Sequence, residues 1–75
     1  MRELVEFLVE SLVEDPDAVQ VEEVPAGRVT VYEVTVAEDE VGKIIGRQGK
    51  VIRAIRTVVK AAATRQGTRV DVDVV

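Results

Sequence analysis

The residues best suited to chemistry lie in a short turn bounded by two glycines, in the second half of the chain. Gly46 and Gly49 enclose Arg47 and Gln48. Because glycine has no Cβ, this spacing allows a tight backbone turn and close approach of a ligand. The amides that open the following helix, at the positive end of its dipole, form a natural seat for phosphate. The sequence therefore predicts an anion-binding site at this turn.

The charges of the chain are strongly separated along the sequence. Residues 41–70 hold eight basic side chains and no acidic one, whereas residues 1–40 hold two basic and twelve acidic side chains. The formal net charge of −4 hides this separation. An electropositive segment on an acidic body is expected to bind an anion, while the remaining surface discourages indiscriminate adhesion. Arg53, Arg56 and Lys60 follow at helical spacing and are expected to form one continuous basic stripe.

Four isoleucines flank the turn at spacings that would line a narrow apolar groove beside the phosphate seat. A ligand for such a site is anionic along one edge and flat and apolar along the other, as single-stranded nucleic acid is. On the motif alone the alternative remains open that a Gly-x-x-Gly turn simply joins two helices. The isoleucines are Ile44, Ile45, Ile52 and Ile55.

Hydrophobic periodicity predicts three helices and three strands in the order α-β-β-α-α-β, a two-layer α+β domain over residues 1–75. Pro16 is expected to end the first helix, because the residue before a proline is pushed out of the α region. Phe7, at the margin of the apolar stripe of this helix, is expected in the core. The predicted ranges are helices 2–15, 41–45 and 50–64 and strands 19–24, 28–37 and 70–74, with turns at 25–27 and at Gly67.

The strand at 28–37 has an alternation that slips along its length. Val29 and Val31 share one face, whereas Tyr32 and Val34 share the other with Val36. This pattern indicates either a bulge near position 32 or a strand that is partly covered on both faces.

Composition argues against catalysis. Cysteine and histidine are absent, which excludes disulfides, zinc-finger spacing, cysteine nucleophiles and Ser-His relays. A phosphate-binding P-loop is excluded because it would need glycine at position 44 and Ser or Thr at position 51, where this chain has Ile44 and Val51. A dinucleotide-binding fingerprint is excluded because it also needs glycine at position 44. No uncharged run is long enough to span a bilayer and the N-terminus lacks an apolar h-region, so we expect neither a membrane span nor export. We expect neither an enzyme nor a cofactor, metal or membrane site.

The stretch from Ile45 to Ile52, Ile-Gly-Arg-Gln-Gly-Lys-Val-Ile, resembles the I-G-x-x-G-x-x-I signature of KH domains. In that family the GxxG loop clamps the backbone of about four nucleotides of single-stranded RNA or DNA. The element order resembles the type II KH arrangement, a three-stranded sheet packed against three helices. The length of the chain, its opening at residues 2–6 and the segment 55–63 resemble the small stand-alone bacterial KH proteins of the KhpA family.

The resemblance implies a cytoplasmic RNA chaperone or post-transcriptional regulator that acts in cell-envelope and cell-length homeostasis. It further implies a homodimer, or a complex with a larger KhpB/Jag-like partner. Because no aromatic residue lies in the motif, weak discrimination among bases is expected. The implied site consists of the loop Gly46, Arg47, Gln48 and Gly49, the groove residues Ile45, Val51 and Ile52, and the basic rim Lys43, Lys50 and Arg53.

Two other functions remain open at this point. In a helix-turn-helix protein, the helix at 50–64 would enter the DNA major groove and place Arg53 and Arg56 on base edges. In a protein-interaction module, the strands and the acidic first helix would bind a partner. Valine fills 18 of the 75 positions, and a domain this small buries only about 60% of its unfolded surface. Self-association is therefore also expected.

Overall fold

The chain folds as a three-stranded sheet with three helices packed against it. The computed structural model describes residues 1–75, and the predicted α-β-β-α-α-β order is confirmed. None of the helices is long and apolar enough to cross a membrane. The elements are α1 (Arg2–Glu10), β1 (Gln20–Ala26), β2 (Val29–Thr35), α2 (Val41–Ile45), α3 (Lys50–Arg65) and β3 (Val70–Val74), with 3-10 turns at Pro16–Ala18, Glu38–Glu40 and Arg47–Gly49.

The sheet has the order β1-β2-β3, so that β2 is central and both other strands are edges. Strands β1 and β2 are antiparallel, whereas β2 and β3 are parallel. A parallel pair requires a crossover connection, and here α2 and α3 provide it. The glycine-bounded turn therefore lies within the crossover.

The slipped alternation of β2 arises because both of its faces are partly covered. Pairing between β1 and β2 runs without interruption from Gln20 opposite Thr35 to Ala26 opposite Val29, so there is no bulge. Tyr32 and Val34 are buried beneath the helices, and burial raises the pKa of the Tyr32 phenol, with Glu23 adding to the effect. The valines on the opposite face are half-buried.

The hairpin turn is tighter than the predicted turn at 25–27. Pro25 and Ala26 belong to β1, and only Gly27 and Arg28 connect the two strands. A proline has no amide to donate, and β1 tolerates one because it is an edge strand.

Helix α1 ends at Glu10, so the prediction that it extends to Asp15 is wrong. The Ser11 hydroxyl donates to the Phe7 carbonyl at 2.6 Å. The amides of Glu14 and Asp15, which helical geometry would direct at carbonyls four residues earlier, instead donate to the carboxylate of Glu40 at 2.5 and 3.1 Å. A tertiary acceptor thus ends the helix before the proline does.

The hydrophobic core draws on every helix and on β2 and β3. Val5 and Val9 are the buried residues of α1. Phe7 is 66% exposed, and the prediction that it is buried is wrong. It lies two residues from both valines, and at about 100° per residue this places it on the opposite side of the helix. The buried set is Val5, Val9, Tyr32, Val34, Val36, Ile44, Ile52, Ile55, Val59, Ala63, Val70 and Val72.

Candidate nucleic-acid interface

The turn between α2 and α3 is built from backbone conformations that favour glycine. Gly46 has φ 74° and ψ 172°, and Gly49 has φ 75° and ψ 16°. A Cβ on Gly46 would lie against the Val51 side chain and only 2.8 Å from the Val51 amide nitrogen. Gln48 is also left-handed, with φ 57°. The Gly49 amide closes the turn on the Gly46 carbonyl at 3.1 Å.

The first turn of α3 is electrostatically suited to an anion. Gly49 is its N-cap, and no side chain caps the helix. The first turn contains no acidic residue and instead carries Lys50 and Arg53. Cations at the positive end of a helix dipole are unfavourable for the helix itself. An anion seated there would interact favourably with both the dipole and these side chains.

Three cations around the turn have no internal partner. Arg47, Lys50 and Arg53 are exposed and form no ion pair within the protein. The Arg53 guanidinium folds back over the turn, with Nη1 3.4 Å from the position of a Cβ on Gly49. The structure thus brings together the loop 46–49 and two of the three predicted rim cations.

Lys43, the third predicted rim cation, forms ion pairs with two carboxylates. Its Nζ lies 3.3 Å from an oxygen of Glu14 and 3.4 Å from one of Glu40. Burial lowers the pKa of Lys43, but the bonds to the two carboxylates outweigh it, so its pKa lies above the ordinary value. The Glu14 amide bond lowers the pKa of Glu40, and the Asp15 amide and Lys43 contribute further. Because the pKa of Glu40 is lower in the folded state, its carboxylate stabilises the fold at pH values above its ordinary pKa. This stabilisation is lost as the pH falls through the lowered pKa.

The predicted basic stripe is interrupted after Arg53. The Arg56 Nε donates to the Val72 carbonyl at 2.8 Å and lies 3.5 Å from an oxygen of Asp71. Lys60 pairs with the same carboxylate at 3.8 Å. The expectation of a continuous stripe is therefore wrong, because β3 neutralises its distal half. In the helix-turn-helix alternative, Arg56 would contact base edges. Its side chain is instead bound to β3, which argues against that alternative.

The two aspartates on β3 bind backbone amides and pair with Arg56, a role that was not predicted from the sequence. The side chains of Asp71 and Asp73 accept the amides of Val72 and Val74 at 2.8 and 3.0 Å. Together with Arg56 they cover backbone groups of β3, which is an edge strand. Charged side chains on an edge discourage pairing with another strand. The signal was present in the alternation of Asp with Val on the last strand.

The predicted isoleucine groove does not form. Ile44, Ile52 and Ile55 are at most 5% exposed and belong to the core, because the same helix faces that flank the turn also pack on the sheet. Among the predicted groove residues, Ile45 and Val51 are half-buried and reach the surface beside the turn. The open apolar surface lies instead between α1 and α3, where a groove of about 310 Å³ is lined by Leu8, Leu12, Lys50, Val51, Ala54, Ile55 and Val58.

Comparison with protein families identifies the family of this chain. The family described as "KhpA/KhpB, KH domain" matches residues 2–74. The chain belongs to this family. Among its relatives, the RNA-binding protein KhpA of Clostridium acetobutylicum is 45% identical over 75 residues, all of both chains. The RNA-binding protein KhpA of Chlamydia trachomatis is 38% identical over 99% of this chain and 95% of the relative.

Solved structures of the protein Era share the fold of this KH domain. Era of Aquifex aeolicus bound to GDP and aluminium fluoride superposes with a TM-score of 0.68 at 22% identity. The match covers 97% of this chain and 28% of the Era chain. Era in complex with MgGDPNP and nucleotides 1506–1542 of 16S ribosomal RNA gives a TM-score of 0.65. The predicted α+β type II KH fold is thereby confirmed.

Proposed function

We propose that this KH domain binds single-stranded RNA, or single-stranded DNA, by clamping about four nucleotides of backbone with the turn 46–49. The proposal rests on one observation, an uncapped and acid-free first turn of α3 beside a left-handed loop with three unpaired cations. The KhpA relatives are named RNA-binding proteins, and one Era complex contains 16S ribosomal RNA. These names support the same class of ligand, and the proposed activity is binding without catalysis.

Each element of the interface has a distinct part in this proposal. The glycines let the strand approach the backbone, while Arg47, Lys50 and Arg53 contact phosphates. Ile45 and Val51 border the bases, and Ile52 supports them from the core. Lys43 contributes least, because its charge is already shared with two carboxylates. Tyr32 is buried and Phe7 lies on α1, so no aromatic platform is expected to discriminate among bases.

The salt dependence of binding tests the phosphate contacts. Each contact contributes about 0.7 to the slope of log affinity against log salt for a single strand. With roughly three contacts, affinity should fall roughly 20-fold between 50 and 200 mM salt. Fluorescence anisotropy with a labelled single-stranded RNA measures this fall. Replacing Lys50 or Arg53 by alanine is expected to weaken binding at low salt and to reduce the slope by about 0.7 each.

Two matched variants control this measurement. Arg2→Ala removes one exposed arginine that is paired with Glu23 away from the turn, and it should leave affinity and slope unchanged. Lys43→Ala removes a cation that is already paired with Glu14 and Glu40. It should therefore change the salt slope less than Lys50→Ala does. Equal slopes for all of these variants would support the alternative that the turn only joins two helices.

We also propose that a second copy of the chain covers the groove between α1 and α3. Leu12 is 43% exposed and Val58 is 48% exposed, a large apolar exposure for a domain of this size. Ala54 lies in the same groove, and its small side chain permits close approach of a second helix. Lys50 and Val51 line the end of this groove beside the turn, so a second copy packed on Leu12, Ala54 and Val58 would leave them at the rim, and the dimer would carry two open turns. Two weak sites on one strand would gain affinity through avidity.

Val58→Asp is expected to convert this dimer to a monomer, because the half-exposed side chain accepts a charge in the monomer but not in an apolar interface. Sedimentation velocity over a range of protein concentrations measures the change. Gln20→Asp, at an exposed position of β1 outside the groove, is the matched control and should leave association unchanged. A wild-type protein that is monomeric at all concentrations would contradict the proposal.

The proposed cellular role is that of an RNA chaperone or post-transcriptional regulator acting with a KhpB/Jag-like partner in cell-envelope and cell-length homeostasis. The resemblance supports this role, and the matched family includes both kinds of KH domain. Such a partner would bring its own KH domain to the groove used by the second copy. In the sedimentation assay, adding that domain should replace the homodimer with a heterodimer, whereas Val58→Asp should prevent both.

A further inference from the structure

A basic cavity lies at the end of α3 that is farthest from the glycine turn. Its volume is about 230 Å³, and it opens between the last turns of α3 and the beginnings of β2 and β3. The lining contains two cations and no carboxylate, and its two threonine hydroxyls donate to backbone carbonyls of α3 at 2.9 and 3.3 Å. The residues are Val29, Lys60, Thr64, Thr68, Arg69 and Val70. This composition suits an anion rather than an apolar ligand.

The positive charge at this end of the molecule is not neutralised internally. Arg69, Arg65 and Arg28 are exposed and form no ion pair. Arg65 directly follows the lining residue Thr64, and Arg28 directly precedes Val29. Of the two lining cations, only Lys60 has a partner. Its Nζ lies 3.8 Å from an oxygen of Asp71, and the Arg56 Nε lies closer to the same oxygen, at 3.5 Å.

The arginines are not needed to complete the end of the helix. The Ala63 carbonyl accepts the Gln66 and Thr68 amides at 3.0 and 2.9 Å, and the Thr64 carbonyl accepts the Gly67 amide at 3.1 Å. A cation in the last turn interacts favourably with the helix dipole, which accounts for Arg65. It does not account for Arg69 or Arg28, which lie outside the helix.

We propose that this cavity is a second phosphate site for the same nucleic-acid strand that occupies the glycine turn. This inference rests on the proposed function. At 1.5 Å per residue, α3 separates the two sites by about 22 Å, so a strand that reaches both must continue beyond the four nucleotides of the clamp. Between them, Arg56 is paired with the carboxylates of β3. The strand is therefore held electrostatically at both ends of α3 and only weakly between them.

RNA length separates the two sites experimentally. A four-nucleotide RNA can occupy the glycine turn alone, whereas a twelve-nucleotide RNA can reach the cavity as well. For Arg65→Ala combined with Arg69→Ala, we expect weaker binding of the twelve-nucleotide RNA at low salt. Its salt slope should fall by about 1.4, or 0.7 for each lost contact. Binding of the four-nucleotide RNA should be unchanged.

The controls distinguish failure of this site from failure of RNA binding itself. Arg2→Ala should alter neither oligonucleotide, and thermal unfolding of each variant verifies the fold. An equal loss for both RNA lengths, or no loss for either, would overturn the second site while leaving the glycine turn in place. If the wild-type protein bound neither RNA, the proposed function would be wrong and the second site with it. Shifts of the Thr64 and Thr68 amides on addition of inorganic phosphate, together with unchanged binding of the twelve-nucleotide RNA by the arginine double variant, would show that the cavity binds free phosphate and not a strand.

Discussion

Replacing Arg47 and Gln48 together by aspartate is expected to abolish RNA binding and to leave the fold intact. The double change removes one positive charge and places two carboxylates where phosphate oxygens would lie. Like charges brought together in an interface cost several kcal/mol, so affinity should fall by a factor of at least about 100. Both positions are exposed, and aspartate is among the residues that tolerate the left-handed conformation of position 48. Fluorescence anisotropy at two salt concentrations measures the loss.

A control variant with the same change in net charge separates the local effect from a general one. Arg2→Asp with Gln20→Asp alters the same two residue types at exposed positions of α1 and β1. This control should bind RNA nearly as well as the wild type, and circular dichroism should show all three proteins folded. Similar losses in both double variants would mean that net charge, and not the turn, governs binding. Retained binding by the folded Arg47→Asp/Gln48→Asp protein would place the RNA elsewhere.

Gly46→Ala is expected to destabilise the domain by about 3 kcal/mol, from two sources. The φ and ψ of Gly46 lie in a region essentially restricted to glycine, which costs about 1–3 kcal/mol for another residue. The new Cβ would also lie 2.8 Å from the Val51 amide nitrogen, which cannot move without displacing the first turn of α3. For a domain of this size, 3 kcal/mol lowers the Tm by roughly 12–24 °C. Thermal unfolding followed by circular dichroism measures the shift.

Two other glycines provide matched substitutions. Gly67 has φ +73° but no atom within 4 Å of an added Cβ, so Gly67→Ala should cost only the left-handed conformation, about 1–2 kcal/mol. Gly42 lies within α2, has no positive φ and has open space around it. Gly42→Ala should therefore stabilise the domain by about 0.5–1 kcal/mol. A Gly46→Ala variant no less stable than Gly67→Ala would show that the Val51 contact does not determine the conformation of the turn.

The local features of this protein could be predicted from sequence because each depends on residues close together in the chain. Periodic apolar residues and turn-forming glycines indicated the order of the six elements. Gly67, with φ +73°, lies just beyond α3 as predicted. The paired glycines marked the turn that proved to have left-handed backbone at Gly46 and Gly49. The separation of acidic and basic segments indicated which part of the chain is electropositive.

Features that depend on contacts between distant segments could not be predicted in this way. The carboxylate of Glu40 ends α1 by accepting amides 25 and 26 residues earlier. Asp71 neutralises Arg56, 15 positions before it, and so interrupts the basic stripe. Side-chain periodicity specifies which face of an element is apolar, but not which partner in another element meets each polar group.

By itself, the sequence determined the α+β fold, the glycine-bounded turn and the sign of the charge around it, because helix, strand and turn preferences act over a few residues. Only the tertiary structure decided which cations remain free to bind. Arg47, Lys50 and Arg53 at one end of α3 and Arg65 and Arg69 at the other have no carboxylate within reach. Lys43, Arg56 and Lys60 are paired. A charge is available to a ligand only where the fold brings no opposite charge near it, and that depends on the packing of the whole chain.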